Sequence, residues 1–127
     1  MNAALLVFFG AGIGGVLRHG INLLSAHWFG GGFPVGTAFI NVAGSVIIGV
    51  LVGWLAFHAT EDWSSSVRFF AVTGVLGGFT TFSSFSLETM LLVERGDTGL
   101  AMLYVALSVA LSLAGAAGGL AAVRALA

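Results

Sequence analysis

The chain has 127 residues, of which 58% are hydrophobic and only 7% charged, and a mean hydropathy of +1.09, where a water-soluble domain carries about 25% charged residues. That composition excludes a soluble globule and points to an all-α integral membrane protein, built as a single domain over residues 1–127. Four arginines without a lysine, at net charge −1, offer no basic patch for nucleic acid, and the lack of cysteine excludes disulfides and thiolate metal sites.

A bilayer core of about 30 Å needs roughly 20 apolar residues in a helix, and four segments reach that length: residues 4–24, 35–57, 67–93 and 99–123. The N-terminal run lacks the cationic flank of a secretory signal and reads as a retained helix. The connections are short, at residues 30–34, 60–66 and 94–97, and Trp28, Trp54 and Trp63 fall near the expected helix ends, where indole rings favour the membrane interface.

The first segment contains Gly10-Ala11-Gly12-Ile13-Gly14-Gly15, which satisfies G-x-G-x-x-G. A dinucleotide fingerprint also needs a preceding strand and an acid about 20 residues later, whereas the next acid here is Glu61. Close packing of neighbouring helices through small residues is the better account. Toward the end of this segment Arg18 leaves two readings open: a guanidinium snorkelling to the interface, or a charge in an aqueous vestibule that attracts anions. His19, His27 and His58 have no acidic partner or ligand spacing in the sequence and read as interfacial.

The second segment places Thr37, Asn41, Ser45, Gly49 and Gly53 four residues apart, a continuous small or polar stripe on one helix face. Its glycine end suits helix packing. Asn41 is different, because an unpaired amide in hydrocarbon costs on the order of several kcal/mol; it either bonds to a neighbouring helix or solvates something that passes. The fourth segment repeats the spacing with Tyr104, Ser108, Ser112 and Ala116, a row of hydroxyls that suits interhelical bonding, back-bonding to the previous turn, or the lining of a passage.

The third segment carries Gly74, Gly77, Gly78, Thr80, Thr81, Phe82, Ser83, Ser84, Phe85, Ser86 and Glu88, where a lipid-facing helix would be leucine and valine. Glycine costs about 1 kcal/mol relative to alanine in a helix, so the third helix is expected to be broken near the midplane around Gly77-Gly78. Such a segment is tolerated at membrane depth only where it is buried in protein or lines a wet cavity. Freed carbonyls there are hard ligands for an alkali cation. Phe82 and Phe85, three apart, share a face, and their ring edges carry partial positive charge. With Asn41 and hydroxyl donors they could replace part of an anion's hydration without binding it too tightly to release. Glu88, a carboxyl in a membrane segment, costs about 2.5 to 3.5 kcal/mol on insertion scales; it should be bonded, with backbone near the break as the favoured partner, or relay with an anion.

With four crossings both termini lie on one side, with Arg68 and Arg124, while Arg18 and Arg95 lie on the other. Without an arginine bias to set orientation, the chain can insert both ways and pair as an antiparallel dual-topology homodimer.

These residues resemble the Fluc (CrcB) family of fluoride channels. The resemblance rests on Gly77 through Ser86, close to a G-G-x-T-T-F-S-T-F-S core with Ser84 in place of threonine and Phe79 where leucine is common. It extends to Arg18 at the end of the first segment, to Gly36, Thr37 and Asn41, and to the Tyr104, Ser108 and Ser112 row. It implies a fluoride-specific channel, and no enzyme, exporting fluoride passively across a bacterial inner membrane. Two fluoride pathways would run through the homodimer, with Phe82, Phe85 and Asn41 contacting the anion and Tyr104, Ser108 and Ser112 forming a polar track. Thr37, Thr81, Ser83, Ser84 and Glu88 would lie near the route, Arg18 would stand in the vestibule, and the Gly77 and Thr80 carbonyls would hold a structural sodium ion on the two-fold. The competing reading is a small dual-topology proton-coupled exporter, which needs an early membrane carboxylate that this chain lacks, its first acid being Glu61, expected in a loop. A non-transporting assembly subunit is a third.

Overall fold

The structure, a computed structural model, describes residues 2–58 and 61–127. It is all-helical: α1 Ala3–Phe29, α2 Val35–His58, α3 Glu61–Val67, a π-helical stretch Arg68–Leu76, α4 Gly77–Phe79, α5 Phe82–Glu94 and α6 Thr98–Leu126. Four helical spans are long and apolar enough to cross a membrane, the third running from Asp62 to Glu94, so the chain is a multi-pass membrane protein. The third span starts earlier than residue 67, because Glu61–Val67 is helical where the sequence suggested a loop; Thr60, in that expected loop, lies outside the described residues.

Side chains are distributed inside out relative to a soluble domain. Phe8, Val16, Trp28 and Met102 are exposed, while Thr37, Thr81 and Ser108 are buried with Ile40, Leu76 and Tyr104. Lipid provides no hydrophobic drive between helices, so close backbone approach and internal hydrogen bonds must hold them together. Two seams supply the approach: α1 packs along the π-helical stretch and α4, and α2 packs along α6. On the first, Gly10 and Gly14 of α1 lie against the backbone of Phe70, Gly74 and Val75, and a Cβ on Gly78 would stand 2.8 Å from the Ala11 Cα. On the second, Gly49 sits against the Ala116 backbone and Gly119 against Val46 and Val50. Within the Gly10–Gly15 run, Gly10 and Gly14, four apart, are therefore packing residues, while Gly12 and Gly15 face open space.

Gly77 and Gly78 remain helical, Gly77 with φ −63° and ψ −39°. The extended residues are Thr80 (φ −80°, ψ 157°) and Thr81 (φ −153°, ψ 120°). The physical reason is that Gly78 is held by its seam with Ala11 of α1, where a missing Cβ is needed. The β-branched threonines, weak helix formers, take the change of direction instead.

Candidate functional site

The side chains around Thr80 and Thr81 explain why the extended backbone is stable there. The Thr81 N–H, which would close on the Gly77 carbonyl in a continuous helix, donates to Asn41 Oδ1 at 2.8 Å, and Asn41 Nδ2 donates to the Thr81 carbonyl at 3.0 Å. One amide from α2 thus satisfies both groups of one residue, which in hydrocarbon would otherwise cost several kcal/mol each. Of the two options for Asn41, the structure displays the bond to a neighbouring segment, and the amide keeps a second Nδ2–H. Thr81 also caps α5, its Oγ1 accepting from the Ser84 N–H at 3.2 Å and lying 3.3 Å from Ser83 Oγ. That cap takes the donor which would otherwise reach the Thr80 carbonyl. The Gly77 and Thr80 carbonyls therefore both lose their usual i+4 partners.

Beside this region lies a groove of about 420 Å³ lined by Asn41, Thr81, Phe82, Phe85, Ser108 and Ser112, among others. The Phe82 and Phe85 ring centroids are 5.6 Å apart with planes tilted by 50°. Phe82 is 79% exposed on a single chain. Ser108 Oγ is buried and has no hydrogen-bond partner among the described residues, the sort of orphan donor that marks a site for something not part of the chain. The groove offers neutral polar side chains and two phenyl rings and no ionisable side chain.

A second cavity, of about 410 Å³, lies by the α1–α2 loop and is lined by Asn22, Ser25, Gly32, Thr37, Glu88 and Arg95, among others. Glu88 is bonded on both oxygens: Thr37 Oγ1 donates to Oε1 at 2.8 Å and the Tyr104 hydroxyl to Oε2 at 2.8 Å. Its partners are thus hydroxyls of α2 and α6 and not backbone near Thr80, because Glu88 lies about two helical turns, roughly 10 Å, beyond Thr81 along α5. Tyr104, fully buried, stands between the cavities. Its ring contacts Phe33, which lines the second, and Phe85, which lines the first, at centroid distances of 5.5 and 5.1 Å.

The structure accordingly divides the residues singled out in the sequence. Asn41, Thr81, Phe82, Phe85, Ser108 and Ser112 share the groove, Thr37 and Glu88 share the second cavity, and Tyr104 joins them. Ser83 and Ser84, in the first turn of α5, line neither. Arg18 is partly buried and lines neither cavity, which leaves its two readings as they stood. Sequence reasoning passed over Asn22, Ser25 and Arg95; the eleven-residue spacing of Asn22 and Ser25 from the Phe33–Gly36 turn carries no periodic signal, since the contact runs between two helices.

Comparison with known proteins identifies the family of the chain. Residues 5–120 match the family described as CrcB-like protein, Camphor Resistance (CrcB). The "Fluoride-specific ion channel FluC" of Beijerinckia indica subsp. indica is 54% identical over 126 residues, covering 99% of each chain. The "Fluoride-specific ion channel FluC 2" of Nitrobacter hamburgensis is 53% identical over 122 residues, 94% of this chain and 95% of its own. The protein named FluC in Methylobacterium nodulans is 53% identical over 122 residues, 94% of each. With the match running through all four spans, the chain belongs to the CrcB family.

Proposed function

We propose that this protein is a fluoride-specific ion channel that lets fluoride leave a bacterial cell passively across the inner membrane, relieving fluoride toxicity. The observation that carries the reading is the groove beside Thr80 and Thr81, where two phenyl rings and neutral donors converge without a fixed positive charge. An anion that must give up water to pass needs donors, and one that must also leave needs them weak. Phe82 and Phe85 contribute ring edges, Asn41 its remaining N–H, and Ser108 and Ser112 their hydroxyls. The route continues past Tyr104, Thr37 and Glu88 to the second cavity, with Thr81, Ser83 and Ser84 presenting hydroxyls at the start of α5 and Arg18 drawing anions toward the vestibule. Glu88 serves first as the acceptor that orients Thr37 and Tyr104, and relays with the anion when those hydroxyls turn to it.

The working unit in this reading is an antiparallel dual-topology homodimer with the third helix broken near the midplane. The exposure of Phe82 on a single chain and the even split of arginines between the two sides support it. The Gly77 and Thr80 carbonyls, without their helical donors, fit a structural sodium ion shared at the two-fold. When bound, that ion supplies the positive charge that the carbonyls of two copies need to converge. Replacing sodium by a large organic cation should loosen the dimer and lower flux; indifference of both would remove the sodium site.

The function is tested by fluoride efflux from proteoliposomes. Efflux that proceeds without a proton gradient, with chloride retained, is the expected result. Strictly proton-coupled efflux, or transport of organic cations, would overturn the channel in favour of an exporter. Photobleaching that counts single copies in active vesicles would overturn the homodimer.

A further inference from the structure

We propose that Arg95 is a positioning residue for the mouth of the route: its guanidinium ties the glycine loop between α1 and α2 to the turn between α5 and α6, and so keeps that loop in place as a wall of the cavity beside Glu88. The proposal rests on reading that cavity as part of the fluoride pathway.

The loop wall of the cavity includes Gly30, Gly31 and Gly32, the most permissive backbone in the molecule. Gly30 has φ +71° and closes α1 through a bond from its N–H to the Ala26 carbonyl at 3.1 Å. Beyond it, the side-chain bonds reaching this loop among the described residues come from Arg95 alone: Nη2 donates to the Gly32 carbonyl at 2.7 Å, and Nη1 makes a longer contact of 3.5 Å to the Gly31 carbonyl. The opposite edge of the guanidinium is fixed as well, Nε donating to Asp97 Oδ2 at 2.7 Å. Gly96, between them, has φ +89°. The Gly96 N–H bonds to the Val93 carbonyl at 3.0 Å and the Asp97 N–H to the Leu92 carbonyl at 2.9 Å, the pattern of a helix end closed by a left-handed glycine. That closure places Arg95 and Asp97 side by side. Asp97, though at the N-cap position of α6, makes no cap bond with its side chain; its carboxylate is turned to Arg95 instead.

An exposed arginine–aspartate pair contributes little by itself. A guanidinium that bonds a carboxylate on one edge and a chain carbonyl on the other is a geometric device, one that lysine, a point charge, cannot reproduce. Arg95 therefore acts through shape. With its charge taken up by Asp97 and loop carbonyls, it is poorly placed to attract anions, and its removal frees the loop without unpacking either helix seam.

The natural lack of cysteine allows a direct test. Ser25→Cys places one thiol on the cavity wall, and its modification rate is read with an anionic and a cationic methanethiosulfonate reagent in the Arg95, Arg95→Gln and Arg95→Lys backgrounds. Freeing the loop should raise both rates in parallel by about tenfold in Arg95→Gln, the order expected for loss of a charge-assisted hydrogen bond, and Arg95→Lys should not restore the slow rate. Fluoride efflux from the Arg95→Gln channel should fall. Asp97→Ala, which leaves the loop bond in place, should give the same parallel rise at smaller size, and serves if Arg95→Gln does not fold. Rates that move in opposite directions for the two reagents would show that Arg95 acts by charge, and unchanged rates would show that it holds nothing; either overturns the proposal. Failure of the channel reading itself is seen separately, as absence of fluoride efflux from the unmodified parent protein.

Discussion

Two cavities among the described residues have nearly equal volumes, about 420 and 410 Å³, and contrasting chemistry. The groove beside Thr80 and Thr81 is lined by small hydroxyls, an amide and two phenylalanines. The cavity by the α1–α2 loop is lined by the loop glycines, Asn22 and Ser25 with Glu88 and Arg95. In the second, the ionisable groups are already engaged, Glu88 by two hydroxyls and Arg95 by Asp97 and Gly32. In the first, donors remain unspent, Ser108 Oγ and one N–H of Asn41. The lesson is that the charged cavity is organised for its own shape, while the uncharged one is left available to a ligand.

That contrast is broken most severely at Phe82. Phe82→Ile keeps an apolar side chain but removes the ring edge, and fluoride efflux from correctly assembled protein is expected to fall to the level of protein-free liposomes. Efflux at the parental rate would show that the rings are not part of the passage. Asn41→Ala tests whether the groove depends on the amide that holds Thr81. It leaves the Thr81 N–H and carbonyl without their partners, at about 1 to 3 kcal/mol each, so stability in detergent should drop by about 2 kcal/mol or more, and efflux by about tenfold or more. A drop in efflux with unchanged stability would mean that Asn41 meets the anion without bracing the backbone. Glu88→Gln gives the smallest effect. The amide oxygen still accepts a hydroxyl, so efflux should stay within about threefold of the parent, in keeping with the roughly 1 kcal/mol scale of one altered hydrogen bond. Complete loss would make the carboxyl charge an obligate part of transport, and the two cavities would no longer divide by role.

Much of the scaffold was legible before any coordinates. Four spans follow from length and apolarity, and the i+4 rows of α2 and α6 follow from helical periodicity. Along α2 the row resolves into successive partners: Thr37 meets Glu88, Asn41 meets Thr81, and Gly49 meets Ala116. What periodicity cannot supply is which face meets which helix. The partners of Glu88 depend on how α2, α5 and α6 are rotated about their axes, a tertiary property. The π-helical stretch Arg68–Leu76 left no mark either, since Val72, Thr73 and Gly74 have no composition that distinguishes a wide turn from an ordinary one. Propensity placed the disruption of the third segment at Gly77-Gly78, two to four residues early, because it counts glycine as a weak helix former and cannot see the seam with Ala11 that keeps Gly78 helical.

The reciprocal pair between Asn41 and Thr81 is the hydrogen-bonding arrangement of neighbouring β-strands, with a side chain standing in for one of them. Such a pair tolerates little slippage, because both bonds depend on the same alignment and are lost together. A rise of about 1.5 Å per helical residue would already carry the amide out of register. α2 is thereby tied lengthwise to the third span at one rung, so sliding one past the other costs both bonds at once, whereas rotation about the rung keeps them.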